Sequence, residues 1–266
     1  MKIDVNGTQA FASTGGRDFD PKAEAILFVH GSGQSHLSYI LQSRFFANRS
    51  YAVLSPDMPA HGLSDGDPLM TIEAQADWHA DLLDAAGVKT AHVVGHSQGG
   101  LIGLELARRH GSKVKSLSFV ATALAIPVND ALIDMAKNKE ARAIDMMTDW
   151  GHGRLGHMHD NTTPGNTHLY FGRELMAANE TGALHADLVA CNEYKDGAVA
   201  AAEVNCPTHV TLGQKDKMTP MKFGMKLAEA VGCSNPTVVA GAGHMLPSEH
   251  PFEVNRAVRK LIEAST

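Results

Sequence analysis

The chain has 266 residues, a formal net charge of −6 at pH 7, 44% hydrophobic residues and 20% charged residues. These values are ordinary for a globular protein, and the length suits one large α/β domain or a core that carries a modest insertion. Because lysine and arginine are not clustered anywhere along the chain, the composition argues against nucleic acid or an anionic membrane surface as a partner.

The N-terminus and the cysteines indicate which cellular compartment to expect. Met1–Gly7 is too polar for the apolar region of a signal peptide, and no run of about 18 apolar residues predicts a membrane span. The three cysteines, Cys191, Cys206 and Cys233, are scattered and show no CxxC spacing, which is typical of reduced thiols in the cytoplasm. We therefore expect a cytoplasmic protein whose cysteines are small buried hydrophobes, with no redox or metal role.

Short apolar runs alternate with amphipathic stretches along most of the chain. Asn6-Gly7 predicts a tight hairpin turn within residues 3–13. Further runs without polar alternation, typical of strands buried on both faces of a parallel sheet, cover 25–29, 51–54, 91–94, 116–120, 208–212 and 237–239. Amphipathic helices are predicted over 72–86, 101–110, 223–231 and 252–263. This order predicts an α/β fold with a doubly wound, mostly parallel sheet.

The alternation breaks between 124 and 205, where alanine, methionine, aspartate and asparagine are frequent and helical preference dominates. We interpret 124–205 as a helical cap and residues 1–123 and 206–266 as the core. In open α/β sheets the ligand crevice lies at the carboxyl ends of the strands, so a cap over that edge is a candidate lid.

A serine motif directly follows one predicted strand. Gly95-His96-Ser97-Gln98-Gly99 has the form G-x-S-x-G between a strand and a helix. A serine on such a sharp turn projects its oxygen into the crevice, and the flanking glycines avoid clashes with neighbouring backbone. The bare pattern is weak evidence in a glycine-rich chain, but its placement predicts Ser97 as a nucleophile over a structural serine at a helix start.

A serine nucleophile needs a base, and the base needs an orienting carboxylate. His244 follows the last predicted strand, and Asp216 follows the strand before it. Asp57 is the rival acid, although its segment is more typical of a turn. An aspartate near a helix start is often only a cap; we expect Thr219-Pro220 to cap the next helix and leave Asp216 free.

Attack of a serine on a carbonyl group forms a tetrahedral intermediate, whose oxyanion needs backbone N–H groups as hydrogen-bond donors. One predicted donor is the amide of Gln98, the residue after the nucleophile. The other is the amide of Ser32, within His30-Gly31-Ser32-Gly33, where the glycines let the backbone approach closely.

These motifs together resemble the α/β-hydrolase superfamily, in the lineage with a helical cap between the sixth and seventh core strands. The matching segments are His30–Gly33, Asp57–Ser64, Gly95–Gly100, Gly213–Asp216 and Gly243–Glu249. The resemblance implies an α/β-hydrolase fold and acyl transfer through a covalent acyl-enzyme, with no metal or organic cofactor. The chain order Ser97, Asp216, His244 is the order expected of that fold.

Departures from related subgroups narrow the expected activity. Haloalkane dehalogenases and epoxide hydrolases carry an aspartate nucleophile and dienelactone hydrolases a cysteine, whereas this chain has Ser97. Haloperoxidase-like relatives usually have an aromatic residue and a methionine where Ser32 and Gln98 stand, which disfavours perhydrolase activity. Ala60 replaces a glycine common in its turn.

Other side chains receive structural interpretations. His30, His96 and His61 are expected to order loops around the site and not to transfer protons. Two further sets lie in 124–205: a cluster interpreted as solvated loop residues because it matches no zinc pattern, His152, His157, His159 and Asp160; and methionines expected to pack helices more than to line an acyl pocket, Met135, Met146, Met147, Met158 and Met176.

The sequence thus predicts a serine hydrolase that cleaves a small-to-medium carboxylic ester, with a small-molecule acyl compound as its partner. A largely neutral substrate is favoured because no pair of cations is placed to hold a dicarboxylate or a phosphate. The alternatives are a lactone, thioester or carbon–carbon bond hydrolase on the same triad, or a ligand receptor on the hydrolase fold.

Overall fold

The computed structural model describes residues 1–157 and 167–265. Within these ranges eight strands form one sheet in the order β1-β2-β4-β3-β5-β6-β7-β8. The strands are β1 (Lys2–Val5), β2 (Thr8–Ser13), β3 (Ala25–Val29), β4 (Ala52–Pro56), β5 (Ala91–His96), β6 (Val114–Val120), β7 (Thr208–Gly213) and β8 (Thr237–Val239). Strands β3 to β8 pair in parallel, and the β1–β2 hairpin joins antiparallel to β4.

Helices flank this sheet and fill the segment between β6 and β7. The α-helices in the described ranges are α1 (Ile40–Ala47), α2 (Ile72–Ala85), α3 (Gln98–Arg109), α4 (Asp130–Asn138), α5 (Glu140–Gly151), α6 (Arg154–His157), α7 (His168–Ala177), α8 (Ala183–Glu193), α9 (Gly197–Ala202), α10 (Met221–Ala230), α11 (Leu246–Glu249) and α12 (Pro251–Ala264). Short 3₁₀ helices cover His36–Tyr39 and Gly111–Lys113.

Strand β3 shows why the apolar runs form a central sheet. All five of its residues are buried, and successive side chains point to opposite faces. Ile26 and Phe28 pack in the cluster that contains α12 residues, whereas Leu27 and Val29 pack in the cluster that contains α2 and α3 residues. Burial on both faces confirms the predicted doubly wound α/β sheet.

Two helix starts follow signals in the sequence. The Thr71 hydroxyl accepts a hydrogen bond from the Ala74 amide at the start of α2, and Pro251 lies in the first turn of α12. The sequence reasoning missed the 3₁₀ helix at His36–Tyr39 and helix α1, and it began α3 three residues late, at Leu101.

Helices α4 to α9 lie between β6 and β7, within the segment 124–205 that we call the cap. Helices α4, α5, α7 and α8 share an apolar cluster that includes Leu132, Ile144, Leu184 and Leu188. Met147 and Met176 belong to this cluster and Met135 and Met146 pack against it, whereas Met158 lies outside the described residues. The exact division of core and cap stays a prediction.

The topology places four loops at one edge of the sheet. Strand order reverses at β3, which has β4 on one side and β5 on the other. Val29 pairs with Gly95, so the loop after β3 lies beside the turn after β5. Gly213 pairs with Val239 in the same way, which brings the β7 and β8 loops together. An α/β sheet binds ligands at such a reversal, on the carboxyl side of the strands.

Two further findings concern the helices and the cysteines. None of the helices in the described ranges is long and apolar enough to cross a membrane. Cys191, Cys206 and Cys233 are all free thiols. Burial raises the pKa of the Cys191 thiol to about 12, so this cysteine is inert at neutral pH.

Candidate active site

Ser97 stands on a strained turn between β5 and α3. Its φ of 54° and ψ of −120° are unfavourable for a residue with a side chain. A Cβ on Gly95 would lie 2.2 Å from the Gly99 carbonyl oxygen, and one on Gly99 would lie 2.1 Å from the Val29 carbonyl oxygen. The turn therefore requires both glycines of the motif.

The loops after β7 and β8 bring Asp216 and His244 together. Asp216 Oδ2 lies 2.8 Å from His244 Nδ1, and both side chains are almost fully buried. The other carboxylate oxygen accepts hydrogen bonds from the amides of Met218 (2.8 Å) and Thr219 (2.9 Å). This contact occupies His244 Nδ1 and leaves Nε2 as the nitrogen that can serve as a base.

Thr219 corrects one sequence expectation. It does not cap the next helix: α10 begins after Pro220, and no side chain caps it. The Thr219 hydroxyl instead lies 2.8 Å from Asp216 Oδ2 and 3.2 Å from His244 Nδ1. The sequence could not show this, because the hydroxyl turns towards the carboxylate only once the β7 loop has folded.

The electrostatics keep Asp216 ionised. Burial raises the pKa of this carboxyl, but the attraction of His244 and the hydrogen bonds from His244 and Thr219 outweigh burial and leave the pKa below its usual value. An ionised Asp216 can orient the His244 ring and stabilise its protonated form.

The rival acid, Asp57, is engaged elsewhere. Its carboxylate accepts hydrogen bonds from the His36 amide (2.6 Å), the His36 ring (2.9 Å) and the Leu63 amide (2.9 Å). A Cβ on Gly62 would lie 2.4 Å from this carboxylate. Asp57 thus holds its turn together, as the sequence suggested.

The two predicted oxyanion donors, Ser32 and Gln98, follow the ends of the adjacent strands β3 and β5. The Gly31 carbonyl, in the same peptide group as the Ser32 N–H, accepts hydrogen bonds from the Gln34 amide (3.0 Å) and the His30 ring (3.0 Å). Gln98 is the first residue of α3, where an N–H group has no intrahelical acceptor. Among the hydrogen bonds of the described residues, neither the Ser32 amide nor the Gln98 amide has a protein partner.

His30 and His96 contact backbone, as expected of loop-ordering residues. His30 Nε2 accepts a hydrogen bond from the Met58 amide, and His96 Nε2 donates to the His244 carbonyl at 2.9 Å. Burial lowers the pKa of His30 to about 4 and that of His96 to about 3. Both rings are therefore neutral at pH 7.

The histidine cluster of the cap needs one correction. His152 is 5% exposed and donates from Nδ1 to the Thr148 carbonyl, so it is not a solvated loop residue. His157 is exposed, whereas His159 and Asp160 lie outside the described residues. Within residues 1–157 and 167–265, no group of three or more histidine, cysteine or acidic residues is placed to hold a metal ion.

The motif search missed two buried carboxylates that join core and cap. Glu249 accepts hydrogen bonds from the amides of Gly153 (3.0 Å) and Gly156 (2.9 Å), and Asp187 contacts the loops beside Ser97. Glu249 lay within a matching segment of the resemblance. The signal for Asp187 was slight: one acid in an otherwise largely apolar stretch of helix, Ala183–Ala190.

Ser97, His244 and Ser32 line one cavity of about 220 Å³. The cap supplies a largely apolar wall, which includes Ile126, Pro127, Val128, Leu132, Met147, Trp150, Phe171, Leu175, Met176 and Leu188. The predicted nucleophile, base and one predicted oxyanion donor therefore border a single cavity.

Residues 26–257 match the model of a family described as "Alpha/beta hydrolase family". The chain belongs to this family. A structural neighbour agrees on the fold: the enol-lactonase from Burkholderia xenovorans has a TM-score of 0.86 and 21% identity, covering 99% of this chain and 100% of its own.

Curated relatives of similar length are hydrolases with different substrates. The pimeloyl-[acyl-carrier protein] methyl ester esterase of Chromobacterium violaceum is 30% identical over 90% of this chain and 94% of its own length. The 2-hydroxy-6-oxononadienedioate/2-hydroxy-6-oxononatrienedioate hydrolase 2 of Pseudomonas putida is 25% identical over 92% of this chain and 90% of its own length. Family membership and these relatives support a hydrolase in general.

Proposed function

We propose that this protein is a serine hydrolase that cleaves a carboxylic ester through an acyl-enzyme intermediate. The observation that carries the proposal is the 2.8 Å contact between Asp216 and His244, in a cavity that Ser97 also lines from a strained turn. A serine, a histidine and an orienting carboxylate at strand ends are the parts that nucleophilic acyl transfer requires.

In the proposed cycle, His244 Nε2 takes the proton of Ser97 as the serine oxygen attacks the substrate carbonyl. The amides of Ser32 and Gln98 donate hydrogen bonds to the resulting oxyanion. His244 then protonates the leaving alcohol, and a water molecule repeats the sequence to release the acid. Asp216 holds the His244 ring and offsets its positive charge.

The cavity favours a fairly small and largely neutral substrate. Lys217 is the one lysine among the described lining residues, and none of them is an arginine. Residues 158–166, outside the described ranges, contain no lysine or arginine either. Burial lowers the pKa of His152, so this ring adds no positive charge at neutral pH. A dioate, as in the names of two relatives, carries two carboxylates, for which this lining offers one solvent-exposed cation.

A panel of chromogenic esters tests the proposal. It should combine neutral acyl chains of two to eight carbons with half-esters of dicarboxylic acids of matched length. The expected result is turnover that peaks within the neutral series and is lost in the Ser97→Ala protein. Preferred turnover of half-esters would refute the neutral-substrate assignment, and full activity of Ser97→Ala would refute the serine mechanism.

The same triad would serve lactone, thioester or carbon–carbon bond cleavage, and the relatives include a protein named 3-oxoadipate enol-lactonase. A competition assay separates them, with a neutral ester, a lactone of equal carbon number and a vinylogous 1,5-diketone as substrates. We expect the highest kcat/KM for the ester. A receptor on this fold would instead show one slow turnover for each Ser97.

A further inference from the structure

Asp187, on helix α8 of the cap, is a carboxylate at the centre of a buried network. It is 1% exposed. Oδ2 accepts hydrogen bonds from the Gly33 amide (2.7 Å) and His61 Nε2 (3.0 Å). Oδ1 accepts hydrogen bonds from the side-chain amides of Gln98 (3.1 Å) and Gln75 (3.3 Å). One cap side chain thus contacts four separate segments of the core.

Gly33, Gln98 and Gln75 donate to Asp187, as its ionised form requires. The Gly33 N–H can only donate. His61 Nδ1 lies 2.9 Å from the Pro59 carbonyl oxygen, which can only accept, so Nδ1 carries a proton. An ionised Asp187 can also only accept, so His61 Nε2 carries a second proton. Asp187 and His61 therefore form an ion pair. The directions of the two pKa shifts agree with an ion pair. The attraction between the two groups outweighs their burial, which raises the pKa of His61 and lowers that of Asp187.

Two of these partners adjoin the predicted oxyanion donors. Gly33 follows Ser32, and Gln98 supplies the second donor from its own backbone. The cap also fixes the other end of the Gly33 residue, because the Asn179 side chain donates to the Gly33 carbonyl at 2.7 Å. The loop after β3 and the start of α3 are thus both tied to α8 through a single carboxylate.

We propose that Asp187 is a positioning residue that holds the Ser32 and Gln98 amides in the geometry required for an oxyanion. This proposal rests on the proposed serine mechanism. A lone carboxylate beside an oxyanion would oppose it electrostatically, and the positive charge of His61 removes that penalty. The cap would then contribute directly to catalysis as well as to substrate choice.

The Asp187→Asn protein tests this role. An asparagine has one acceptor oxygen, so its NH₂ group would face two donors on one side of the network. We expect kcat for a neutral ester to fall about 10- to 100-fold, because the loss of one oxyanion donor reduces kcat about 10²- to 10³-fold and misplacement is milder. KM should change less than about threefold, since the substrate-contacting wall is intact.

The affinity for a transition-state analogue distinguishes a positioning role from a purely structural one, because a purely structural role would leave this affinity unchanged. An alkyl trifluoromethyl ketone forms a tetrahedral adduct with serine, whereas a non-reactive amide of equal length occupies only the ground state. In Asp187→Asn the ketone should bind more weakly by the same factor as kcat falls, with the amide unchanged.

Glu105→Gln is the matched control. Like Asp187, Glu105 is a buried acid. It lies on α3 and accepts a hydrogen bond at 2.7 Å from the hydroxyl of Tyr194, the residue that follows α8. It lies seven residues along α3 from Gln98, about 10 Å away. This variant should lose thermal stability as Asp187→Asn does, but keep kcat and ketone affinity.

Asn179→Ala is a milder variant should Asp187→Asn fail to fold, with an expected three- to tenfold loss of kcat and ketone affinity. Unchanged kcat and ketone affinity in the folded variants, with only a lower melting temperature, would overturn the positioning role. Failure of wild-type Ser97 to form the ketone adduct would overturn the serine mechanism instead.

Discussion

The two walls of the cavity differ in chemistry. The core wall is polar and tightly bonded: Ser97 lies on a strained turn, and Asp216, Thr219 and His244 share hydrogen bonds. The cap wall is mostly aliphatic, aromatic and sulfur-containing. Outside this wall, the cap residues Asp187 and Asn179 form hydrogen bonds with the core.

This difference indicates a division of labour. A reacting serine needs fixed dipoles and an oriented base, which strand-end loops of a rigid sheet can provide. An apolar wall made of helix side chains can vary in shape without disturbing those groups. We expect substitutions in the core wall to change kcat, and substitutions in the cap wall to change the choice among substrates.

The largest effect should come from His244→Ala. Removing the base leaves Ser97 protonated at neutral pH, and we expect kcat to fall about 10⁴- to 10⁶-fold, as when a triad member is lost elsewhere. Steady-state kinetics with an activated ester would measure this. A loss below tenfold would show that the core wall does not hold the base.

Asp216→Asn should follow, with a fall in kcat of about 10³- to 10⁴-fold because an amide no longer fixes the protonation and orientation of the ring. Asp57→Asn provides the comparison, since Asp57 contacts His36 and Leu63. It should lower the melting temperature but keep kcat within about tenfold, because it lies outside the triad. The reverse pattern would make Asp57 the acid.

Acid should destabilise the core through its buried histidines. Burial lowers the pKa of His30 and His79 to about 4 and that of His96 to about 3. Below pH 6.5 these histidines bind protons in the unfolded chain but stay neutral in the folded protein, so the free energy of unfolding falls as pH falls towards 4. Each ring contributes a slope of about 1.4 kcal/mol per pH unit between its two pKa values.

Urea titrations between pH 7 and pH 4.5 would measure this slope. In the His79→Gln protein the slope should flatten by the contribution of one histidine. An identical slope in the two proteins would mean that His79 titrates normally in the folded state.

The smallest effect should come from the cap wall. Trp150 lines the cavity yet is 43% exposed, so Trp150→Ala should barely alter stability. We expect it to shift the ratio of kcat/KM between eight-carbon and two-carbon esters about five- to tenfold, the lower end of the about 1–3 kcal/mol that a change in apolar contact is worth, because Trp150 is partly exposed. An equal loss for both esters would contradict the division between the walls.

The core could be read from the sequence because its signals are local. The run Ala25–Val29 is apolar throughout, and Gly95–Gly99 combines a strand end with a turn that needs glycine. Such patterns specify where a strand ends, and parallel pairing then brings the ends together. Asp216 and His244 were predicted in this way.

The cap could not be read to the same depth, because its contacts are long-range. Asp187 accepts a hydrogen bond from Gly33, 154 residues earlier in the chain, and no sequence pattern near residue 187 predicts that partner. Helix α1 was missed for a related reason: Ile40–Ala47 mixes buried Gln42 and Ser43 with apolar residues and has no capping side chain. Tertiary burial, and not periodicity, defines that helix.

The most direct test of the serine mechanism is covalent labelling by a fluorophosphonate, followed by intact-mass measurement and peptide mapping. We expect one adduct per chain, on Ser97, with esterase activity lost in proportion to labelling. An adduct on another residue, or full activity in a protein whose Ser97 is completely labelled, would contradict it.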